Sequence, residues 1–213
     1  MINKELQKRI LSSLVLIPIA LFFIIKGTYF FNFFILICLF ISIYEWHKMS
    51  KEINYTVLGI IFLMFSFYSV YYFRNEFYGD YLYLIIILSI CVFTDIGGYI
   101  FGKLFKGPKL TKISPNKTLS GSLGSFILSI SVSSLLLGYI FNTDLVDNIL
   151  IGFFISLSVQ IGDLFFSYLK RKASLKNTGD ILPGHGGILD RIDGILLGIP
   201  VGLVYVLILV FTG

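Results

Sequence analysis

Residues 162–194 read GDLFFSYLKRKASLKNTGDILPGHGGILDRIDG. They hold four aspartates, five Lys or Arg side chains, one histidine and six glycines, between two segments that are almost wholly apolar. A chain crossing lipid must keep its backbone hydrogen bonds inside helices, and carboxylates at membrane depth are costly and mark function. Asp163 lies inside the end of one apolar segment, while Asp190 and Asp193 open the next. The stretch therefore predicts a polar site at a membrane face, built from two helix ends and their connector.

The rest of the 213-residue chain supports a bilayer setting. Hydrophobic residues make up 56% and charged residues 14%, where a soluble domain carries about 25% charge. Mean hydropathy is +0.89, and apolar runs recur at roughly helix-spanning length. A soluble helical core this apolar would lack wet surface. The formal charge of +5 would suggest nucleic acid in a soluble protein; here its distribution among loops matters more, and no nucleic-acid partner is indicated. Cys38 and Cys91 both sit in apolar segments, so neither a disulfide framework nor a thiolate metal site is indicated. The first apolar run follows a basic start but has no clear small-residue cleavage site, so it reads as a retained helix.

In order, spans are expected at about 10–25, 29–44, 55–73, 81–100, 119–141, 149–166 and 195–212. The first two are short, and one re-entrant hairpin is the alternative to two separate crossings. The fold class is thus an all-α, polytopic integral membrane protein of about seven transmembrane helices. Residues 1–78 read as amino-terminal membrane helices and 79–213 as a catalytic membrane domain with polar loops at 101–118 and 167–194. Pro108 and Pro115 break the first of these loops, and Ser and Gly in the fifth span permit close helix packing. Fifteen of the seventeen Lys and Arg residues fall at the amino end and in loops 45–54, 101–118 and 167–194, against Lys26 and Arg74 on the other face. The positive-inside rule puts those fifteen in the cytoplasm, at the cell (inner) membrane, with the carboxyl end outside.

Asp163, Ser167 and Lys170 recur at helical spacing and share one face, with Arg171 beside them. A carboxylate followed by cations one and two turns later can cradle a metal–phosphate complex. Asp190 and Asp193, three apart, project from nearly one face of the next helix and could supply oxygens to Mg²⁺, which commonly takes one or two carboxylates plus substrate phosphates. An ordinary charged helix end explains Lys170 and Arg171, and favourable acids at a helix start explain one aspartate; neither explains Asp163. Gly184, Gly186 and Gly187 around His185 let backbone amides approach an anion, although three glycines also make an ordinary tight turn. His185 could donate to phosphate, take a proton or fill a structural role. Asp95 in FTDIGG is a supporting carboxylate, and Ser114, Lys117 and Thr118 of SPNKT could bind phosphate oxygens.

The downstream stretch resembles the signature of the phosphatidate cytidylyltransferase (CDP-diglyceride synthase) family. Ser167, Lys170, Arg171, Lys176, His185, Gly186, Gly187, Asp190, Arg191 and Asp193 fit its pattern, as do Gly162-Asp163-Leu164, the segment Asp95 to Lys103, and SPNKT. The resemblance runs from about residue 80 to the end. It implies conversion of CTP and phosphatidate to CDP-diacylglycerol and pyrophosphate. It implies Mg²⁺, at two divalent-metal positions, on Asp163, Asp190 and Asp193, with Lys170, Arg171 and Lys117 neutralising phosphate charge and His185 in the catalytic set. Ser114, Thr118, Ser167, Lys176, Gly186, Gly187 and Arg191 follow as substrate- or phosphate-binding residues. The chain departs from the family at Asn177, where Asp is usual, and at Ser120, where Glu is frequent. It is also short for the family, in amino-terminal membrane sequence. Membrane lipid is a further partner, and a homodimer is compatible with the resemblance. A CTP-dependent lipid kinase would need a similar site, and a cation-coupled transporter could use Asp95 and Asp163; the HGG and DRID arrangement speaks against a carrier.

The ten basic residues of loops 101–118 and 167–194 predict one cytoplasmic face for both. A single cysteine introduced into either loop is expected to resist an impermeant thiol reagent in intact cells and to react once the cytoplasmic face is opened. Reaction of both in intact cells reverses this topology.

Overall fold

The computed structural model describes residues 4–51, 55–77, 81–111, 113–115, 117–182 and 186–212, with side chains from Leu14 to Phe211. Among the described residues eight helices follow one another: α1 (Lys4–Lys26), α2 (Thr28–Ser50), α3 (Thr56–Asn75), α4 (Tyr81–Phe105), α5 (Leu119–Phe141), α6 (Leu145–Lys172), α7 (Leu189–Ile192) and α8 (Ile195–Thr212). Among the described residues the only extended pairings are isolated bridges, Lys109 with Thr118 and Leu182 with Gly186. The all-α expectation holds.

Five helices, α2 to α6, are long and apolar enough to cross a membrane. The described apolar parts of α1 and α8, Leu14–Lys26 and Ile195–Phe211, are shorter. Among the described residues, length and composition therefore support five of the expected seven crossings. Within those five spans only 17 to 44% of the apolar window is buried by protein. Phe40, Leu58, Leu123 and Leu135 all point outward, the inverse of a soluble core and the arrangement lipid requires.

Two boundaries differ from the sequence estimates for physical reasons. α2 continues to Ser50, taking Glu45 out of the expected loop and into a helix. α6 runs to Lys172, and its last turn carries Lys170, Arg171 and Lys172, cations that suit the negative end of a helix dipole. The expectation that Asp190 and Asp193 share a face of one opening helix is corrected. The single turn of α7 ends at Ile192 and a turn at Asp193-Gly194 separates it from α8.

The chain forms two compact units. The first comprises Met1–Tyr81 and Leu169–Ile192. Gly27, at φ +66°, joins α1 to α2, and the Phe23 and Phe34 rings stack with centroids 4.8 Å apart. Arg74, at the end of α3, donates from Nε to the Ile24 carbonyl at 2.5 Å, so the last carbonyls of α1 have a partner. At the other end of α2 and α3, Trp46 Nε1 donates to the Thr56 carbonyl at 3.2 Å, and its ring lies where Gly59 has no side chain.

The second unit comprises Leu82–Tyr168 and Asp193–Gly213. α4 and α5 meet through glycine: a Cβ on Gly97 would run into the Gly124 carbonyl, and one on Gly121 would stand 2.7 Å from the Gly98 carbonyl. Ser125 Oγ donates to the Thr94 carbonyl at 2.7 Å across the same contact. α6 packs on α8 through Ile155 and Val159 against Gly198 and Gly202. Ser133 Oγ donates to the Asn148 carbonyl at 2.6 Å. Close approach and polar cross-links of this kind hold helices together in lipid, where the hydrophobic effect offers little between them.

Gly97→Leu should therefore destabilise this unit by an amount typical of overpacking, about 1–3 kcal/mol, because backbone rather than a flexible side chain stands in the way. A lowered midpoint of thermal unfolding in detergent checks it. Gly138→Ala, whose Cβ would meet nothing nearer than Asn148 at 3.5 Å, should show no loss.

Candidate active site

The second unit contains a cavity of about 290 Å³ lined by Asp95, Ser114, Lys117, Thr118, Gln160 and Asp163, with Gly98, Gly121, Ser122 and Ser125 from the α4–α5 contact. The connector that delivers Lys117 is tightly specified. After α4, Lys106 and Gly107 take positive φ of 50° and 90° and turn the chain. Leu110 N then donates to the Lys117 carbonyl at 2.8 Å and Leu119 N to the Pro108 carbonyl at 3.0 Å. At the tip, Lys117 N donates to the Ser114 carbonyl at 3.1 Å. Thr118 caps α5, its Oγ1 accepting from Gly121 N at 3.1 Å, an N-cap arrangement that also fixes its neighbour. Ser120 donates from Oγ to the Lys106 carbonyl at 2.9 Å and so closes the turn itself.

Lys117 Nζ forms an ion pair with Asp163 Oδ2, both side chains partly exposed at 26% and 31%. Ser167 Oγ lies 3.5 Å from the other Asp163 oxygen. Ser122 Oγ donates to Gln160 Oε1 at 2.5 Å. The cavity thus gathers two carboxylates, one ammonium, several hydroxyls and an amide oxygen. This is a set of hard oxygen donors beside a cation, suited to phosphates.

The first unit holds a second polar cluster, around Asp190. Lys170 Nζ reaches Asp190 Oδ1 at 2.9 Å. Asp190 Oδ2 accepts from Thr178 N at 2.8 Å, from Gly187 N at 3.0 Å and lies 3.1 Å from Thr178 Oγ1. Gly186 is at φ +86° and pairs its backbone with Leu182, and a Cβ there would approach Asp190 Oδ2 to 2.7 Å. The glycine amide expected to meet an anion does so, but the anion is the protein's own Asp190. The Thr178 hydroxyl also lies 3.0 Å from Glu45 Oε2. Glu45, 1% exposed, accepts from Ile188 N and Leu189 N, each at 2.9 Å.

Of the expected site residues, Asp95, Ser114, Lys117, Thr118 and Asp163 line the cavity, and Ser167 adjoins Asp163. Lys170, Asp190, Gly186 and Gly187 meet in the other cluster, with Arg171, Lys176 and Arg191 exposed along the same segment. Asp163 and Asp193 belong to the second unit and Asp190 to the first, and Asp193 Oδ1 accepts from Gly194 N at 3.0 Å. His185 lies outside the described residues. Among the described residues no group of three or more His, Cys, Asp and Glu side chains converges as a ready metal cage. Sequence reasoning missed Gln160, Thr178 and above all Glu45. The signal for Glu45 was a carboxylate inside an otherwise apolar helix, the same feature that singled out Asp163.

Burial raises the Asp190 carboxyl, but the Lys170 ammonium and the Gly187 and Thr178 amides outweigh it and hold the group below its ordinary range. A depressed folded-state value contributes stability above the unfolded carboxyl value of about 3.9, lost as pH falls below that toward the folded value. Lys170→Met removes one of the depressing groups. Hydrogen-exchange protection of the 176–190 segment, corrected for intrinsic rates, should therefore collapse at a higher pH in this variant than in the parent. Identical pH midpoints would remove Lys170 from the account.

The family model described as the cytidylyltransferase family matches residues 50–210. A phosphatidate cytidylyltransferase of Rickettsia felis is 36% identical over 215 aligned positions, covering 93% of this chain and 91% of that protein. One of Staphylococcus haemolyticus is 36% identical over 148, covering 68% and 56%. One of Helicobacter pylori is 41% identical over 115, covering 54% and 43%. The match covers most of the Rickettsia protein's length and about half of the other two. With a family match over most of its length, and relatives of this similarity, the chain belongs to the phosphatidate cytidylyltransferase family.

Proposed function

We propose that this protein joins CTP and phosphatidate to give CDP-diacylglycerol and pyrophosphate at the cytoplasmic face of the cell membrane. The observation that carries the site assignment is the cavity in which Lys117 and Asp163 pair beside Asp95, Ser114 and Thr118, within the matched residues of the family. An oxygen of the phosphatidate phosphate attacks the α-phosphorus of CTP, and the bond to the bridging oxygen of pyrophosphate breaks. A phosphate monoester is already anionic near neutral pH, so no strong general base is needed, and catalysis rests on positioning and charge stabilisation.

Lys117 is held by its turn and by the Thr118 cap, so its ammonium can exchange Asp163 for a phosphate oxygen with little motion of the backbone. Ser114 and Thr118 offer hydroxyls on the same wall. The oxygen donors of Asp163 and Asp95 fit Mg²⁺, which asks for one or two carboxylates and takes its remaining ligands from substrate phosphate and water. When bound, the ion would supply further neutralisation of phosphate charge. Asp190 has both oxygens engaged by Lys170, Thr178 and Gly187. Ligation by Asp190 would require one of these donors to give way, so its first role is to order the signature segment. Catalysis is assigned to residues 79–213, with the amino end cytoplasmic.

CTP labelled separately at the α- and γ-phosphates, supplied with phosphatidate or diacylglycerol, decides the reaction. Lipid should acquire only the α label, and lipid labelled only from the γ position would make the protein a lipid kinase. Asp163→Asn should lower turnover by two or more orders of magnitude, the loss of charge stabilisation worth several kcal/mol, in a preparation that stays monodisperse. Asp190→Asn should also lose most activity. Lys26→Gln, in the α1–α2 turn, should match the parent. Near-parental turnover by monodisperse Asp163→Asn at limiting Mg²⁺ would withdraw the metal assignment.

A further inference from the structure

The Glu45 carboxylate is contributed by α2, outside residues 50–210 that match the family, and it is 1% exposed. Its Oε1 accepts from Ile188 N at 2.9 Å and its Oε2 from Leu189 N at 2.9 Å, with Thr178 Oγ1 3.0 Å from Oε2. Two consecutive amides, 143 and 144 residues away in sequence, and one hydroxyl, 133 away, therefore converge on one carboxylate. The surrounding backbone is shaped for it. A Cβ on Gly179 would lie 2.8 Å from Glu45 Oε1, and a Cβ on Gly187 would overlap both Glu45 Oε2 and Thr178 Oγ1. The two glycines thus make room for Glu45 as much as they supply a turn.

Thr178 carries the effect onward. Its hydroxyl stands between Glu45 Oε2 and Asp190 Oδ2, at 3.0 and 3.1 Å, and has one proton to give. Its amide donates to Asp190 at 2.8 Å, and Asp190 in turn holds Lys170 at 2.9 Å. We propose that Glu45 is a positioning residue for the nucleotidyl-transfer reaction, fixing Thr178 and residues 187–190 so that the Asp190–Lys170 pair is presented in one geometry. The proposal rests on the reaction proposed above. Its physical basis is that a buried carboxylate satisfied by backbone amides leaves those amides no alternative partner when it is removed. Glutamine is nearly isosteric but turns one acceptor into an NH₂ donor facing an amide N–H, so it cannot satisfy both Ile188 N and Leu189 N.

The test uses the full-length protein in detergent with lipid substrate. Glu45→Gln is expected to lower kcat at least tenfold with little change in the KM for CTP, and to speed hydrogen exchange of the 178–190 segment while leaving residues 119–141 as protected as in the parent. Thr178→Val should behave likewise, and Thr178→Ser should restore what Thr178→Val loses. The double variant Glu45→Gln/Thr178→Val should be no worse than the more damaged single variant, because the two act as one unit. Should Glu45→Gln fail to give monodisperse protein, the Thr178→Val and Thr178→Ser pair carries the same comparison. A kcat within twofold of the parent in folded variants would overturn the positioning role, as would unchanged exchange of the 178–190 segment. If the parent itself makes no CDP-lipid, the reaction fails on its own account. The exchange data then still report whether Glu45 orders the segment, and a parent-like exchange rate in Glu45→Gln would overturn that independently.

Discussion

Two carboxylates withdrawn from water, Glu45 and Asp190, set the conformation of the connector between α6 and α8. A buried charge without donors is costly enough that a chain either neutralises it or supplies hydrogen bonds. This connector supplies them from its own backbone, through the amides of Thr178, Gly187, Ile188 and Leu189. A loop without secondary structure ordinarily leaves such amides to water. Here they are consumed by side chains, which fixes the backbone at Thr178 and over Gly187–Leu189. The glycines follow from the same constraint: at positions 179, 186 and 187 a side chain would occupy space taken by carboxylate oxygens.

A different constraint governs α4 and α5. Lipid offers no hydrophobic reward for bringing two helices together, so contact must come from small residues and hydrogen bonds. Gly97, Gly98, Gly121 and Gly124 let the backbones approach, and Ser125 ties them. The cavity opens beside this contact because Gly98, Gly121, Ser122 and Ser125 leave its wall unfilled by bulky side chains. Helix packing and the cavity wall thus draw on the same residues. The cap by Thr118 then links the wall to Lys117, so one short run serves both the start of α5 and the ammonium that pairs with Asp163.

The spans were legible because bilayer thickness writes itself into apolar run length; α5 begins and ends where the run of small and aliphatic residues does. The ends of α2 and α6 were not, since polar residues there read as loop until their partners are known. Lys117 with Asp163 and Lys170 with Asp190 lie 46 and 20 residues apart, and only the second could be guessed from a shared signature. Glu45 escaped notice because the polar residues after it read as loop, and its partners lie far away at Thr178, Ile188 and Leu189. Asp190 and Asp193 show the opposite failure. Their spacing fits a helix face, but Gly194 breaks the helix after one turn, its own position packed against Val159. Periodicity assumes a continuous helix, and no residue between the two aspartates signals the interruption.

The two Lys–Asp pairs are chemically alike and physically distinct. Lys170 and Asp190 are 13% and 5% exposed, and Asp190 has further donors on its second oxygen. Removing one partner of such a pair leaves an uncompensated charge, typically costing about 3–5 kcal/mol. Lys117 and Asp163 are 26% and 31% exposed, where an ion pair is typically worth no more than about 1 kcal/mol because water competes for both ends. A group that must leave its partner and take a phosphate oxygen in every cycle should be held weakly, and one that orders a backbone should be held by many donors. Lys117 meets the first requirement and Asp190 the second, so solvent access, more than residue identity, separates the pair suited to exchange from the pair suited to hold the connector in place.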